Sequence, residues 1–257
     1  MIDSHCHLDS QEFDEDRDQV IERALAAGVE QMVAIGTGKG PPDLEAGIRL
    51  ADKCPAFFAT IGIHPHDAAK AGPEDYRHIA DLLSHPKVVA VGEIGLDYHY
   101  DFAPREAQKS AFIEQMSIAA SARKPIVIHT REAWDPTLAL LEKYWKPHGI
   151  GGIMHCFSGS PDEAQRALDL GFYVSFGGIL TFPKATQAEE SAKAAPSDRI
   201  LLETDAPYLA PVPKRGKRNE PALIIHTAQK LADLRGISFE EVCRITTENF
   251  RRLLFTS

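Results

Sequence analysis

Two histidines one residue apart stand at the start of the chain, in the segment Met1-Ile2-Asp3-Ser4-His5-Cys6-His7. Side chains of a β-strand alternate between its two faces, so a strand here would place His5 and His7 on the same face. Their ring nitrogens could then hold one metal ion. Cys6 would point to the opposite face. Both it and Cys156, which likewise stands beside a histidine, are expected to be small buried apolar residues and not ligands. The alternative is two ordinary histidines near a frayed terminus, and the rest of the chain must decide between them.

Further candidate ligands follow other apolar runs. In β/α barrels the active site lies at the carboxyl ends of the strands. The segments at these predicted ends carry six of the eleven histidines (His5, His7, His64, His66, His129 and His155), with Glu93 and Asp97 after one strand and Glu203 and Asp205 after another. Each residue alone is more often a hydrogen-bonded framework residue or a helix cap. Buried ionisable groups are costly unless they are paired or metal-bound, so their joint position favours a functional site.

The predicted metal ligands are four of these histidines and two of the acids: His5, His7, Glu93, His129, His155 and Asp205. This mixture of imidazole and carboxylate suits Zn²⁺, Mn²⁺ or similar ions and accepts Mg²⁺. Six ligands exceed what one tetrahedral ion needs and suit two ions about 3.5–4 Å apart. Glu93, in the middle of the strand order, is the natural bridge. Such a pair of ions suits in-line displacement at phosphorus, because it stabilises both the attacking and the leaving oxygen.

The elements that must position these residues alternate between strand and helix. Apolar, β-rich runs predict strands at Ile2–His7, Gln31–Ile35, Phe57–Ile63, Val88–Glu93, Pro125–His129, Gly152–His155, Tyr173–Ser175 and Ile200–Glu203. They begin roughly 20 to 35 residues apart, which is the pitch of a strand-plus-helix unit. The continuously apolar runs at 88–91 and 126–128 fit parallel strands that are buried on both faces. Helices are predicted between the strands, the first from about Asp14 to Ala27, and capping boxes begin at Ser160 and Ser238.

Eight such units in 257 residues predict an α/β fold, a single (β/α)8 TIM barrel with its metal site at the carboxyl ends of the strands. Residues 1–257 are expected to form one domain. A doubly wound open sheet is the alternative fold. It is weakened because no Gly-x-Gly-x-x-Gly follows the first strand.

Charge and composition limit the partners. The net charge of −9 argues against charge-driven coating of nucleic acid, although a local basic run exists at Lys214-Arg215-Gly216-Lys217-Arg218. That run could contact phosphates or could be a solvated surface. No apolar run approaches 18 residues, no export signal precedes the first strand, and the four cysteines form no CxxC pair. We therefore expect a cytoplasmic protein with reduced cysteines, no membrane contact and no obligate protein partner.

The candidate residues lie in longer motifs that resemble the TatD family of metal-dependent deoxyribonucleases, within the amidohydrolase-like superfamily. The motifs run almost end to end, as DSHCHL (3–8), IGIHPH (61–66), VGEIGLDY (91–98), PIVIHTR (125–131), HCFSG (155–159), LETDAPYL (202–209) and RGKRNEP (215–221). The resemblance implies a TIM-barrel hydrolase that cleaves phosphodiester bonds of DNA, as an exonuclease on single strands, with two divalent ions (Mg, Mn or Zn).

By matched position, the resemblance also implies a role for each ligand. The first ion would take His5, His7 and Asp205, the second would take His129 and His155, and Glu93 would bridge them. Asp205 or the ion pair is expected to deprotonate the attacking water, which makes Asp205 and Glu93 the predicted catalytic residues. The predicted contacts to substrate phosphates are His64, Arg131, Lys214, Arg215, Lys217 and Arg218.

Two other classes remain open from the sequence. A C–N hydrolase or lactonase on the same barrel often uses a carboxylated lysine at a strand end to bridge two metals. Here Glu93 holds that place, and Lys124 precedes its strand at the opposite end. Cleavage of other esters, including aminoacyl-tRNA, stays an alternative within the family. The third class is a metal-stabilised binding or scaffold protein, which turnover of single-stranded DNA would exclude.

Overall fold

The structure is a computed structural model that describes residues 1–36, 40–41 and 43–255. The strands of these residues are β1 (Ile2–Cys6), β2 (Gln31–Gly36), β3 (Phe57–Ile61), β4 (Val88–Asp97), β5 (Ile126–Arg131), β6 (Gly152–Met154), β7 (Phe172–Phe176) and β8 (Ile200–Leu202). The helices are α1 (Arg17–Ala26), α2 (Ala46–Lys53), α3 (Pro73–Leu82), α4 (Arg105–Ser121), α5 (Trp134–Tyr144), α6 (Pro161–Asp169), α7 (Thr186–Ala194), α8 (Ile224–Arg235) and α9 (Phe239–Phe255). Each strand is followed by a helix.

The strands are hydrogen-bonded in their order along the chain, from β1 to β8. The backbone just past β8 returns to the first strand, because Cys6 forms a parallel bridge with Ala206 and the Asp205 amide donates to the His5 carbonyl at 2.9 Å. Sequential parallel strands with helices between them form a (β/α)8 barrel, which confirms the predicted fold class. The open-sheet alternative is wrong, because its strand order would reverse at a switch point.

Strand β4 is four residues longer than the sequence predicts, since it continues past Glu93 to Asp97. Its register with β5 shifts between Val91 and Ile94, so Gly92 and Glu93 lie in an irregularity of the ladder. Such irregularities re-aim side chains and are common beside active sites. The segment 92–97 is rich in glycine and acidic residues, which are uncommon within strands, so the sequence predicts an end at Glu93. With the shifted register the strand continues to Asp97.

Three other predicted strands end one residue earlier in the structure. His7, His155 and Glu203 lie directly after β1, β6 and β8, which still leaves them at the carboxyl ends. Cys6 is fully buried as predicted. The prediction for Cys156 is wrong, because this residue follows β6 with a left-handed backbone (φ 47°) and is partly exposed.

The chain divides into two compact units. One consists of Met1–Val33, His155–Leu168 and Tyr173–Ser257, and the other of Ala34–Met154 and Asp169–Phe172. Each unit buries large aromatic side chains of its own: Phe13, Phe176 and Phe250 in the first, and Phe57, Phe112 and Trp145 in the second. The single domain over 1–257 stays a prediction. Among the described helices, none has both the length and the apolar character needed to cross a membrane.

Candidate metal centre

Three predicted ligands come together where β1 and β8 end. The Nε2 atoms of His5 and His7 lie 3.2 Å apart. The Oδ1 atom of Asp205 lies 3.6 Å from the first of these nitrogens and 3.4 Å from the second. Two ring nitrogens and one carboxylate oxygen therefore face one another, as ligands of one cation do. We call these three residues, together with His155 and Glu203, the β1–β8 donor group.

Asp3 holds the backbone of this group in place. Its carboxylate is fully buried and accepts hydrogen bonds from the amides of His5 (3.2 Å) and Thr204 (2.9 Å) and from the Thr204 hydroxyl (2.5 Å). Burial raises the pKa of Asp3 to about 7, although the hydrogen bonds from Thr204 and His5 act in the opposite direction. The carboxylate thus ties β1 to the segment that carries Asp205.

Asp205 is prepared to act as an anion. Burial disfavours its charge, but the hydrogen bond with His7 and the nearby His155 and His5 hold the pKa of Asp205 below its ordinary value. Its backbone adopts a left-handed φ of 59°, which is uncommon for residues other than glycine and occurs often at functional sites. A carboxylate must be ionised to bind a metal ion, so the local electrostatics suit the predicted role.

His155 and Glu203 complete the same group. The His155 ring stacks on the His5 ring with their centroids 3.7 Å apart. Its Nδ1 lies 3.0 Å from Oε1 of Glu203, and the same oxygen accepts the Cys156 amide at 2.5 Å. Glu203 is fully buried, and its Oε2 has no hydrogen-bond partner among the described residues. An unsatisfied oxygen on a buried carboxylate is costly, so this atom fits a cation site.

A second set of donors lies just after β3 and within β4 and β5. Oε1 of Glu93 lies 2.7 Å from Nδ1 of His129 and 3.5 Å from Nε2 of His64. One donor atom from each of the three residues lies within 4.8 Å of the others, and Glu93 is buried. We call this set the β3–β5 donor group. Its imidazole and carboxylate donors, His129 and Glu93, suit Zn²⁺ or Mn²⁺.

Asp97 orients the rings of this second group. Its Oδ2 lies 3.1 Å from Nε2 of His129 and 2.9 Å from Nε2 of His66. Its Oδ1 accepts the amides of His99 (3.0 Å) and Tyr100 (2.9 Å). Burial opposes ionisation, but the hydrogen bonds with His129, the Tyr100 amide and His66 hold the pKa of Asp97 far below its ordinary range. A carboxylate behind a histidine ring is typical of metal sites, where it fixes the ring nitrogen that faces the ion.

His64 is a neutral donor beside Glu93. Burial lowers the pKa of His64 to about 4, and the attraction of Glu93 only partly offsets this effect. The His66 amide donates to Nδ1 of His64 at 3.2 Å. The neutral ring therefore carries its proton on Nε2 and can donate it.

The family of the protein follows from its sequence together with this geometry. The family model for TatD-related DNases matches residues 2–255. The chain belongs to the TatD family. The chain is 42% identical to the uncharacterized metal-dependent hydrolase YabD of Bacillus subtilis over 253 residues, which cover 98% of each protein. It is 37% identical to the 3'-5' ssDNA/RNA exonuclease TatD of Klebsiella pneumoniae over 98% of this chain and 97% of that protein.

A solved structure shows the same fold. The TatD homologue YjjV of Escherichia coli K12 matches with a TM-score of 0.89 and 29% identity, over 99% of this chain and 97% of its own. Membership of the TatD family and the clustered His and Glu donors make the chain a metal-dependent hydrolase that acts on ester bonds. The resemblance carried by the sequence motifs is thereby confirmed.

The structure brings together several of the ligands predicted for the TatD-family site. His5, His7 and Asp205 form one cluster, and Glu93 contacts His129. The assignment of His129 and His155 to one ion, and the bridging role of Glu93, stay predictions.

Two residues of the TatD motifs take part in the site although the sequence pattern did not single them out as ligands. Glu203 lies in the same motif as Asp205 and two residues before it, so the two side chains would share one face of an extended segment. Asp97 lies four residues after Glu93 in the longer β4, so regular alternation would place these two side chains on one face. Strand alternation could therefore have indicated both residues, once the strand ends were known.

The predicted basic contacts differ in their surroundings. Arg218 donates to the Glu12 carbonyl and to Asp16 Oδ2, each at 2.6 Å, and the hydrogen bond with Asp16 raises the pKa of Arg218. The guanidinium of Arg215 lies 4.4 Å from the Phe182 ring centroid. Three basic residues of this run extend into solvent beside that anchored arginine: Lys214, Arg215 and Lys217. Their contact with substrate stays a prediction.

Proposed function

We propose that this TatD-family chain hydrolyses phosphodiester bonds of DNA, as an exonuclease on single strands, with two divalent ions. The observation that carries the proposal is the clustering of histidine and carboxylate donors within and just after the strands, above all the mutual distances of 3.2–3.6 Å among His5, His7 and Asp205. When bound, the ions would lower the pKa of the attacking water and stabilise the attacking and leaving oxygens. The exonuclease activity named for the Klebsiella relative supports the choice of substrate.

The side chains supply the remaining steps. Asp205, kept ionised by the surrounding histidines, accepts the proton of the attacking water. Glu203 and Asp97 hold the rings of His155 and His129 in fixed orientations, which limits the reorganisation needed during the reaction. His64 is proposed to donate a hydrogen bond from its Nε2–H to an oxygen of the scissile phosphate, because its Nδ1 already accepts the His66 amide.

Glu93 is proposed to share its carboxylate between the two ions. It is buried, and its Oε1 already faces two imidazoles. A carboxylate at this place supports phosphodiester chemistry over the lysine-bridged C–N hydrolases. The Nζ atom of Lys124 donates to the Val88 carbonyl at 2.8 Å, at the amino end of β4, and so is committed at the opposite end of the strands.

The substrate strand is proposed to extend toward the basic run, where Lys214, Arg215 and Lys217 contact flanking phosphates. Arg131 is proposed as a further contact. Arg218 is proposed to contribute less than the other three basic residues of the run, because it already forms an ion pair with Asp16. A cytoplasmic location is part of the same proposal, and it rests on the cysteine pattern of the sequence.

The experiment is a metal-dependent cleavage assay. The purified chain is stripped with EDTA, reloaded with Mg²⁺, Mn²⁺ or Zn²⁺, and given single-stranded DNA labelled at its 5' or its 3' end, beside double-stranded DNA, an aminoacyl ester and an amide. We expect shortening of single-stranded DNA from one end in the reloaded enzyme and none in EDTA. The label that is released first identifies the polarity.

A matched pair of variants assigns the activity to the site. His155→Ala removes a member of the β1–β8 donor group, whereas His148→Ala removes an exposed histidine in the turn 146–148 after α5. The first should lose most turnover and the second should keep it. Cleavage of the ester or amide with DNA left intact would refute the proposal in favour of the alternatives.

A further inference from the structure

Two exposed aromatic rings stand on the loop after β4. Phe102 is 67% exposed and Tyr100 is 47% exposed, and Phe102 is the most exposed large apolar side chain of the described residues. Their rings are nearly parallel, with an interplanar angle of 9° and centroids 5.1 Å apart. Isolated exposed apolar residues are common, but a stacked pair that leaves this much of its surface in solvent, above all at Phe102, gives up burial that the loop could have provided.

A cation and an imidazole flank this pair. The Arg131 guanidinium lies 4.7 Å from the Tyr100 centroid, in cation–π contact. The His66 ring lies roughly perpendicular to both aromatics, with centroids 4.8 Å from Phe102 and 5.5 Å from Tyr100. We call Tyr100, Phe102 and Arg131 the aromatic platform. The platform combines flat apolar surface with positive charge. An apolar patch exposed by chance would not need a cation over one of its rings.

The platform is anchored directly to the β3–β5 donor group. The Tyr100 amide donates to Oδ1 of Asp97, whose Oδ2 contacts His129 and His66. The next turn is held by Arg105, which binds Asp101 through two hydrogen bonds of 3.0 and 2.9 Å. One carboxylate thus fixes both the rings of the candidate metal ligands and the start of the aromatic loop. The platform is consequently preorganised relative to that chemistry.

We propose that the aromatic platform stacks an unpaired base of single-stranded DNA and so positions the strand next to the donor group. The inference rests on the proposed function and adds the residues that would select a single strand. Every base offers a flat π-face, and aromatic rings beside cationic side chains are the usual surface for unpaired bases. In a duplex the base faces are already stacked on each other, so the platform would favour single strands.

The test compares two short strands with the same number of phosphates. One is oligothymidylate, and the other carries abasic residues in place of every nucleoside. The enzyme is assayed with its metal for kcat/KM, and the EDTA-treated protein is titrated with each labelled strand by fluorescence anisotropy. The variant Tyr100→Leu/Phe102→Leu keeps apolar bulk but removes both rings. Phe255→Leu makes the same change at an exposed ring at the end of α9 and serves as the matched control.

We expect the double variant to lose about 5- to 150-fold in kcat/KM and in affinity for oligothymidylate, the range that base stacking on aromatic rings provides. Its values for the abasic strand should stay unchanged, since that strand has nothing to stack. The single variant Phe102→Trp, which keeps an aromatic ring at this position, should keep the preference for oligothymidylate. Arg131→Lys, which keeps the charge but loses the planar group over Tyr100, should weaken the preference for oligothymidylate.

The outcomes separate this inference from the proposed function. If the wild-type enzyme cleaves neither strand, the proposed function fails. If it cleaves oligothymidylate and the double variant does so equally well, the platform does not bind bases, although the nuclease proposal stands. Size-exclusion chromatography gives another outcome that would overturn the inference. If the wild type were a dimer and the double variant a monomer with unchanged activity on oligothymidylate, the rings would serve to bind a second copy of the chain.

Discussion

Replacing Asp97 by asparagine should weaken metal binding at the β3–β5 donor group about 10- to 100-fold. The substitution keeps the size of the side chain and one carbonyl oxygen. That oxygen can still accept the amides of His99 and Tyr100, which Asp97 Oδ1 accepts at 3.0 and 2.9 Å. The position of Oδ2 becomes an amide nitrogen, which cannot accept a hydrogen bond from Nε2 of His129.

The expected loss of metal affinity follows from the hydrogen bond between Asp97 and the ligand His129, which the variant lacks. Nε2 of His129 lies 3.1 Å from Oδ2 of Asp97, and a hydrogen bond to a charged group contributes about 1.5–3 kcal/mol. At about 1.4 kcal/mol for each factor of ten, this corresponds to roughly 10- to 150-fold in affinity. The estimate agrees with the general effect of removing a carboxylate behind a ligand histidine. Loss of the His66 contact adds little, since His66 is not a member of the donor group.

Isothermal titration calorimetry of the EDTA-treated protein with Mn²⁺ measures the metal affinity. Competition with a chelator extends the measurement to Zn²⁺. Asp101→Asn is the matched control, because that exposed carboxylate lies four residues further along the same loop and pairs with Arg105. We expect the control to bind metal as the wild type does. Far-UV circular dichroism of both variants checks that the fold persists.

An Asp97→Asn variant that binds every ion with wild-type affinity would refute the reasoning. It would show either that His129 is not a ligand or that its ring needs no partner. Equal losses in Asp97→Asn and Asp101→Asn would point instead to a general effect of the loop.

The remaining predictions concern the ligands and the basic run. His155→Ala should retain the far-UV circular dichroism of the wild type and lose most of kcat, and full activity in this variant or in EDTA would contradict the site. Glu93→Gln loses the charge that offsets two neighbouring cations, so elemental analysis should find about two ions per wild-type chain and about one in the variant. A wild-type chain that saturates with a single ion would exclude the bridge. Changing Lys214, Arg215 and Lys217 to glutamine should raise KM for DNA and reduce its salt dependence by roughly one counterion per lost contact. An unchanged salt slope would identify the run as a solvated surface.

The predictable part of the molecule is the part that local periodicity encodes. Continuous apolar runs such as 88–91 identify buried parallel strands, and alternation places His5 and His7 on one face. The end of β4 could not be predicted in this way. Its register shift is set by the neighbouring strand, and a Cβ at Gly92 would lie 2.6 Å from the Cβ of Val127. The sequence of β4 alone does not indicate which residue of β5 approaches Gly92 so closely.

Partnerships between distant residues were also beyond local patterns. Asp97 contacts His129 32 positions away, and Glu203 contacts His155 across 48 positions. The basic run looks uniform in sequence, yet Arg218 is bound by Asp16 across 202 positions. Composition and spacing identify which residues can do chemistry, whereas tertiary packing decides which of them are already committed to a neighbour.

On the proposed function, the β1–β8 donor group would set the earliest time at which a newly made chain can load metal. Asp3 and Thr204, which join its two ends, are 201 positions apart in the chain. At a synthesis rate of about 5–20 residues per second, the second half of the group follows the first from the ribosome by roughly 10–40 s. During that interval the proposed ligands His5 and His7 would form an incomplete chelate with little means to retain an ion. On the proposed function, the metal content would therefore be determined after translation, by the ions that meet the finished chain.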